Sequence, residues 1–311
     1  MNSGLANPPR RVGVIDLGTN TFNLMIADLS EDHFTLLYNE KEGVALGMGG
    51  INKGIIAEDA FERGIQTLRQ FRHICKEYGA EEIRAIGTSA LRSAKNAPDF
   101  VQHAFLETGI QIHIISGEEE ALLIYKGVSW SYNFAERSVI MDIGGGSTEF
   151  IFADQNGIEE VKSLNIGISR IIQDLDLHDP LSGKNIQNIE SWLDQHSGYY
   201  FENKQCDILI GASGSFETFH EMIYRQKFPA ISEAIEVPLH QIQEILHWII
   251  SSNQLQRDLH PYIIPIRKKM APIAAVKTAW IIRKLKVKRI LITPFALKEG
   301  VLKMGEELPF L

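Results

Sequence analysis

Apolar residues along this chain follow two alternating patterns. Short β-rich runs, such as 11–18 and 21–29, are separated by segments in which apolar residues recur at helical spacing, as at 57–78. Further runs typical of strands occupy 34–40, 82–88, 110–117, 138–154, 206–214 and 289–294, and further helices are predicted from Glu118, around 186–195, near 216–225 and 240–251, at 274–285 and at the end of the chain. Strands that alternate with helices of this length predict an α/β fold.

One stretch of the chain is repeated. VIDLGTNTFNLMIAD at 14–28 resembles IMDIGGGSTEFIFAD at 140–154, at an offset of 126 residues. The alignment superimposes Asp16 on Asp142, Gly18 on Gly144, Thr21 on Ser147 and Asp28 on Asp154. A chance match is the alternative, but duplication of a half-domain explains the pattern better and independently predicts two domains.

Length and composition also favour two domains. The chain has 311 residues, of which 44% are apolar, and its net charge of −8 argues against general nucleic-acid binding. No apolar run approaches the ~20 residues of a membrane span. The first eleven residues are typical of a loose tail without the apolar core of a secretory signal. Cys75 and Cys206 lack any motif spacing, which favours a reduced, cytoplasmic location.

Positive charge is concentrated near the C-terminus. Between Arg267 and Lys303 there are eleven Lys or Arg residues and a single acid, Glu299. Two interpretations stay open: a helix with a solvated basic face, or a positive wall that faces a polyanion.

The two repeated turns predict a phosphate-binding site. Glycine lets the backbone approach a ligand closely, and successive N–H groups in a tight turn form an anion-binding concavity to which hydroxyl groups add donors. An ordinary hairpin is the alternative. It explains 18–21 about as well, but three glycines followed by Ser-Thr at 144–148 exceed what a hairpin needs. Two such turns that face each other would form one site between two domains.

Acidic residues beside these turns suit a metal-phosphate site. Asp16 and Asp142 end their strands where the turns begin, and Glu149 follows Asp142 by seven residues. Carboxylates next to phosphates hold Mg²⁺ directly or through water. The alternative is that each Asp caps its own turn by accepting a backbone N–H. The two interpretations are balanced for Asp16, and the metal or water role is favoured for Asp142.

A possible phosphate-binding arginine lies in the stretch GTSALRSAKN at 87–96. Thr88 and Ser89 are predicted to cap a helix whose first turn holds Arg92. A guanidinium at that place can bind phosphate oxygens with two hydrogen bonds. A surface arginine without a ligand is the alternative.

Three adjacent glutamates in IISGEEEALLIYKG at 114–127 need an explanation, because like charges repel. Ser116 and Glu119 have capping-box spacing, and Glu118 suits the positive end of a helix. Neither effect requires Glu120, which points a further ~100° around the helix. Glu120 is therefore left as a candidate for chemistry.

These stretches, together with LNIGISR (164–170), GASGSFET (211–218) and FALKEGVL (295–302), resemble the successive motifs of the exopolyphosphatase / guanosine pentaphosphate phosphatase (Ppx/GppA) family. The order and spacing run through nearly the whole chain, which resembles the short two-domain type. The resemblance implies two ribonuclease-H-like domains of the actin / sugar-kinase / heat-shock ATPase superfamily, with the site in the interdomain cleft. We expect the domains at 1–125 and 126–311, with the last helix a candidate to pack back toward the first.

The resemblance also implies a reaction. Family members hydrolyse a terminal phosphoanhydride of inorganic polyphosphate or of guanosine pentaphosphate with Mg²⁺, and Glu120 matches the catalytic glutamate. The matching phosphate- or substrate-binding residues are Gly18, Thr19, Asn20, Thr21, Arg92, Gly144, Gly145, Gly146, Ser147, Ser213 and Gly214. The metal-associated acids match Asp142 and Glu149, with Asp16 as a third candidate. A homodimer is considered; nucleic acid and membrane are not expected partners.

Two alternatives to this interpretation are a small-molecule kinase of the same superfamily and a non-enzymatic sensor that binds guanosine tetra- or pentaphosphate. The chain also departs from the family pattern at Ala45 and Lys298, where the family often has Arg, and at Lys269, where it often has an acid. In the turn GASGS, Ser213 and Ser215 are conservative changes from the usual G-x-G-G-T. They leave the hydrolytic residues intact and put the substrate or chain-length preference in doubt.

Overall fold

The computed structural model of the protein describes residues 10–30 and 33–304. The predicted N-terminal tail lies almost wholly outside these residues. A first sheet contains β1 (Arg10–Leu17), β2 (Phe22–Leu29), β3 (Phe34–Glu42), β4 (Glu82–Gly87) and β5 (Ile112–Ile114). The helices of this half are α1 (Glu58–Glu77), α2 (Ser89–Ser93), α3 (Ala97–Thr108) and α4 (Gly117–Val128).

A second sheet follows. Its strands are β6 (Ser138–Ile143), β7 (Thr148–Asp154), β8 (Gly157–Leu164), β9 (Ile208–Gly211), β10 (Ile235–Val237) and β11 (Arg289–Ile292). The accompanying helices are α5 (Ile168–Asp174), α6 (Gly183–Ser197), α7 (Gly214–Tyr224), α8 (Leu239–Ser251), α9 (Gln254–Leu259), α10 (Ala271–Leu285) and α11 (Leu297–Met304). None of the helices within 10–30 and 33–304 combines the length and the apolar character that crossing a membrane requires.

Both sheets share one central arrangement. The first has the order β3-β2-β1-β4-β5, with an antiparallel hairpin and with β4 and β5 parallel to β1. The second repeats this as β8-β7-β6-β9-β11, and β10 adds an antiparallel edge. The hairpins are equivalent residue by residue: Asp16 pairs with Asn23 in one, and Asp142 pairs with Glu149 in the other. The predicted fold of two ribonuclease-H-like halves is confirmed.

A shared apolar core joins the two halves. It contains Val14 of β1 and Ile140 of β6, both fully buried, together with residues of α4 and α11. Helix α11 packs along α4 and also contacts β1. The helices cross so closely that a Cβ at Gly300 would lie 1.8 Å from the carbonyl oxygen of Leu123, and one at Gly127 would lie 1.9 Å from that of Ala296. The domain limits 1–125 and 126–311 stay predictions.

Several elements were not predicted from the sequence pattern. Helices α5 and α9 have only seven and six residues, too few for a periodic signal. Strand β8 alternates weakly because most of its residues are half-buried or exposed. The predicted cap of α2 is wrong: the Thr88 hydroxyl donates to the carbonyl oxygen of Leu17 and caps no helical N–H. Arg92 is the fourth of the five residues of α2, so it lies in the first turn, as predicted, and also in the last.

Candidate active site

A cleft of about 210 Å³ lies between the two halves, at the ends of the two hairpins. Its wall contains all the site residues predicted from the sequence except Arg92. These are Asp16, Gly18, Thr19, Asn20, Thr21, Glu120, Asp142, Gly144, Gly145, Gly146, Ser147, Glu149, Ser213 and Gly214. Residues from positions 16 to 214 therefore converge on a single cavity.

The first turn is held by bonds that occupy its carbonyl groups. The N–H of Gly18 donates to the carbonyl oxygen of Thr21 at 3.0 Å and closes the hairpin. The carbonyl oxygens of Thr19 and Asn20 accept the N–H groups of Gly47 and Ala45, at 2.9 and 2.8 Å. In a trans peptide the C=O and the following N–H point in opposite directions. Fixing these carbonyls on one side therefore presents the next N–H groups on the other.

The second turn, at 144–147, is built in the same way. The N–H of Gly144 donates to the carbonyl oxygen of Ser147 at 3.1 Å. Three carbonyl groups of the turn, those of residues 144–146, accept the N–H groups of residues 167–169 at the start of α5, at 2.8–3.3 Å. The N–H groups at 145–147 have no backbone acceptor among the described residues. Both turns thus expose a row of N–H donors, which is the arrangement that binds anions.

The tips of the two turns touch across the cleft. A Cβ at Gly145 would lie 2.5 Å from Nδ2 of Asn20, and a Cβ at Gly146 would lie 2.4 Å from Oγ of Ser89. Glycine is therefore required here by close approach of the two halves. The hydroxyl of Ser169, beside the second turn, donates to Oδ1 of Asn20 at 2.7 Å. Asn20 and Ser169 thus bond the two halves together at the turns.

Burial raises the pKa values of four of the carboxylates that line the cleft. Burial raises the pKa of Asp16 to about 6. The pKa of Asp142 is raised well above its usual value by burial and by the nearby Glu149. Burial also raises the pKa of Glu149, although its hydrogen bonds with Ser147 and Ser163 oppose this. Burial and the charge of Glu149 raise the pKa of Glu120 well above its usual value.

Asp16 does not act as the cap of its own turn. Its Oδ2 accepts the side-chain amide of Asn23, its neighbour across the hairpin, at 2.9 Å. In the second hairpin the position of Asn23 is occupied by Glu149, whose Oε1 accepts the hydroxyl of Ser163 at 2.8 Å. The second hairpin therefore carries a pair of facing acids where the first has an acid and an amide.

Glu120 differs from its two neighbours, Glu118 and Glu119, in being buried. The predicted capping box is present: the N–H of Glu119 donates to Oγ of Ser116 at 3.1 Å, and the N–H of Ser116 donates to Oε2 of Glu119 at 2.7 Å. Glu118 is exposed, whereas Glu120 is only 8% exposed. The box fixes the first turn of α4, and the next residue along the helix faces the cleft.

Arg92 is bound to Glu120 and does not line the cleft. Its Nη1 donates to Oε2 of Glu120 and to the carbonyl oxygen of Ile115, both at 2.9 Å. This ion pair lowers the pKa of Glu120 against the larger effect of burial. The direct phosphate contact expected of Arg92 stays a prediction.

The donor set of the cleft suits a hard cation. Mg²⁺ prefers oxygen ligands and, in phosphate sites, takes one or two carboxylates with waters and substrate phosphates. Asp142 and Glu149, opposite each other on adjacent strands, provide two carboxylates, and Asp16 provides a third on the facing hairpin. Within residues 10–30 and 33–304, no three acidic, histidine or cysteine side chains lie close enough to hold an ion by themselves. The residues therefore fit an ion shared with a phosphate ligand.

A group of charged residues in the cleft wall was not predicted as a unit. Glu217 of α7 lies 3.0 Å from Nη2 of Arg267 and 3.8 Å from Nζ of Lys41. Although burial alone would raise the pKa of Glu217, Lys41 and Arg267 lower it to about 2. Lys298 lines the same wall and donates to Oδ1 of Asn39 at 3.1 Å. Pairs separated by 50 or more residues leave no local sequence signal.

The predicted residues 213 and 214 line the cleft, whereas most of the basic stretch 267–303 does not. The guanidinium of Arg267 lies where a Cβ of Gly214 would stand, and Oγ of Ser213 is buried without a partner among the described residues. Of the basic stretch 267–303, only Arg267 and Lys298 line the cleft. Four others are paired with acids on the surface: Arg283, Lys284, Lys288 and Arg289. The solvated basic face is thus confirmed in part, and a positive wall that faces a polyanion stays a prediction for Arg267 and Lys298.

Three positions that depart from the family pattern lie in different surroundings. Lys298 provides a cation in the cleft wall, in place of the guanidinium expected there. Lys269 is exposed and lies outside the wall. Ala45 uses its backbone to hold the first turn and has a φ of 50°, in the left-handed region.

Known proteins match this chain over nearly its whole length. The model of the Ppx/GppA phosphatase family matches residues 25–307. The chain is similar to the crystal structure of an exopolyphosphatase from Cytophaga hutchinsonii, with 33% identity and a TM-score of 0.90, over 94% of this chain and 97% of that one.

Two curated relatives are longer than this chain. It is 35% identical over 217 residues to a bifunctional 3-dehydroquinate synthase/phosphatase of Fusobacterium nucleatum, and 30% identical over 220 residues to a guanosine-5'-triphosphate,3'-diphosphate pyrophosphatase of Vibrio vulnificus. The matches cover 66% and 68% of this chain but only 33% and 43% of those proteins. The chain thus spans less than half of their length. Because the family model matches almost all of its residues, the chain belongs to the Ppx/GppA phosphatase family.

Proposed function

We propose that the protein is a phosphohydrolase that removes terminal phosphate from inorganic polyphosphate, from guanosine pentaphosphate, or from both. The observation that carries this proposal is the position of Glu120. A buried carboxylate with a raised pKa stands in the wall of a cleft that two anion-binding turns also line. The relatives named above as exopolyphosphatase and pyrophosphatase support the choice of a phosphoanhydride as the bond cleaved.

The residues of the cleft divide the work of phosphoryl transfer. This reaction depends mostly on positioning and on neutralising charge. The N–H groups of the turns at 18–21 and 144–147 bind and orient the terminal phosphates. Glu120 orients a water molecule for attack on the terminal phosphorus and accepts its proton at a carboxylate oxygen. The bond from that phosphorus to the bridging oxygen breaks, and the shortened substrate leaves with that oxygen. A raised pKa brings this base closer to neutral pH, where a general base is most effective.

Arg92 has the task of holding the base. Its bond to Oε2 of Glu120 fixes one carboxylate oxygen and leaves the other for the water molecule. Its charge also lowers the pKa of this buried carboxylate and so favours the ionised form.

A divalent cation belongs to this proposal. Mg²⁺, when bound, would neutralise charge on the phosphate oxygens. Asp142 and Glu149 would hold it, with Asp16 on the facing hairpin as a further oxygen donor. The nearby Glu149 adds to burial in raising the pKa of Asp142, and a cation would relieve that repulsion.

The test is a phosphate-release assay with three substrates: long polyphosphate, short polyphosphate and guanosine pentaphosphate. Each is assayed with Mg²⁺ and with excess EDTA. We expect Mg²⁺-dependent release of orthophosphate from at least one substrate. Binding of all three without turnover would contradict the proposal and favour a sensor. Phosphate transfer from ATP that requires a hydroxyl acceptor would instead favour a kinase. The cytoplasmic location and the homodimer stay predictions.

A further inference from the structure

A lysine is completely buried behind the second turn. Lys277 lies in the middle of α10 with 0% of its surface exposed and does not line the cleft. Its Nζ donates to Oγ1 of Thr148 at 2.6 Å and to the carbonyl oxygen of Ile166. It forms no ion pair of 4 Å or less with any acid in the described part of the chain.

Burial of this ammonium group is costly and needs a reason. Removing a charge from water is unfavourable unless it is paired with an opposite charge, and apolar side chains of similar volume usually pack as well or better. Burial accordingly lowers the pKa of Lys277 to about 7, against the effects of Glu149 and Asp142. Packing of α10 therefore does not explain why a lysine occupies this position.

The two acceptors of Lys277 belong to the two segments that hold the turn at 144–147 in place. Thr148 is the first residue of β7 and follows directly after the turn, and its own hydroxyl donates to the carbonyl oxygen of Ser147 at 3.0 Å. Ile166 directly precedes the three residues, 167–169, whose N–H groups hold the carbonyls of the turn. One ammonium group thus joins both segments that orient the turn.

We propose that Lys277 is a positioning residue for anion binding at 144–147. Lys277 fixes Thr148 and the segment 166–169, which hold the carbonyl groups of the turn away from the cleft. Its positive charge lies behind the same turn and favours binding of an anion in front of it. This inference rests on the proposed function, since it takes the anion to be a phosphate chain. Lys277 acts through Thr148 and Ile166 and touches no substrate.

The test uses Lys277→Met, which removes the charge and the donor but keeps a side chain of similar length. Its matched control is Thr278→Val. Thr278 is the next residue of the same helix and is equally buried, but within the described residues its hydroxyl bonds only to the carbonyl oxygen of Ala274 in its own helix. Calorimetric titration with inorganic tripolyphosphate, in EDTA, measures anion binding without metal or turnover. Thermal denaturation of the same samples measures stability.

We expect Lys277→Met to melt at the same or a higher temperature than the wild type and to bind tripolyphosphate at least tenfold more weakly. Thr278→Val should bind it within twofold of the wild type. A folded Lys277→Met variant with affinity within twofold of the wild type would overturn the proposal. So would an equal loss of affinity in Thr278→Val. If Lys277→Met does not fold, Thr148→Val, which removes one acceptor, must weaken binding at least threefold.

Two results separate this inference from the proposed function. A wild-type protein that binds tripolyphosphate but releases no phosphate from any substrate would overturn the proposed function alone. A wild-type protein that binds no tripolyphosphate would overturn the role of the turn, and the role of Lys277 with it.

Discussion

The charged group around Glu217 predicts how stability depends on acid. Its carboxylate has an ordinary pKa near 4.5, and Lys41 and Arg267 lower this to about 2 in the folded protein. A group whose pKa is depressed by folding adds stability that is fully present above its unfolded pKa and is lost as the pH falls through the folded one. The contribution of Glu217 should therefore be constant between pH 7 and pH 4.5 and disappear between pH 4.5 and about 2.

The size of this contribution follows from the same values. Each pKa unit corresponds to about 1.4 kcal/mol, so a change from 4.5 to about 2 corresponds to about 3 kcal/mol. The side chain of Glu217 is 30% exposed, and solvent screens the interaction, which reduces the expected value to roughly 2 kcal/mol.

The assay is urea unfolding of the wild type and of Glu217→Gln at several pH values from 7 to 3. Glu221→Gln, on the same helix, controls for loss of a carboxylate. Oε1 of Glu221 accepts a hydrogen bond from the backbone N–H of Phe228, and the amide oxygen of Gln can accept the same bond. We expect Glu217→Gln to be less stable than the wild type by roughly 2 kcal/mol at pH 7 and pH 5, with the difference shrinking below pH 4.5. A difference that stays constant down to pH 3, or is absent at pH 7, would refute the reasoning.

Three further changes test other parts of the structure. Gly300→Ala should lower the free energy of unfolding by about 3 kcal/mol and reduce kcat, because its Cβ would lie 1.8 Å from the carbonyl oxygen of Leu123 and would push α11 away from α4, the helix that carries Glu120. Urea unfolding and steady-state rates measure the two effects, and a variant as stable as the wild type would contradict the close packing of the two helices. Ala45→Gly should raise stability by about 1 kcal/mol in thermal denaturation because it relieves a φ of 50°, and a loss of stability would show that the strain is absent. Arg92→Met should move the acidic limb of the kcat/KM profile to higher pH, since Arg92 lowers the pKa of Glu120, and an unmoved limb would contradict the pairing.

The parts of the site that the sequence predicts are local in origin. Each hairpin is encoded within about fifteen residues by apolar runs around an acid and a glycine turn, so that the repeat revealed both halves of the fold. Glu120 was found by a local argument too: the capping box explained Glu119, and the helix end explained Glu118. In the structure Glu120 is the buried member of the three, at 8% exposure.

The parts that sequence reasoning missed depend on distant contacts. Phosphate binding by Arg92 stays a prediction, but its bond to Glu120, 28 residues away, was not predicted. In the sequence Glu217 has no feature that distinguishes it from an ordinary polar residue. In the structure it forms an ion pair with Arg267, 50 residues away. Lys277 lies within an apolar helix, and nothing nearby in the sequence indicates that its acceptors come from Thr148 and Ile166. Such roles depend on tertiary packing and not on local pattern.

The most direct test of the proposed chemistry is a comparison of Glu120→Gln with Glu118→Gln in the phosphate-release assay with Mg²⁺. Both lie in the first turn of α4, but Glu118 is exposed and Glu120 is buried in the cleft wall. We expect Glu120→Gln to lose about 10²–10⁴-fold in kcat while it still binds tripolyphosphate, and Glu118→Gln to keep the wild-type rate. A Glu120→Gln variant that releases phosphate at nearly the wild-type rate would contradict the assignment of Glu120 as the base.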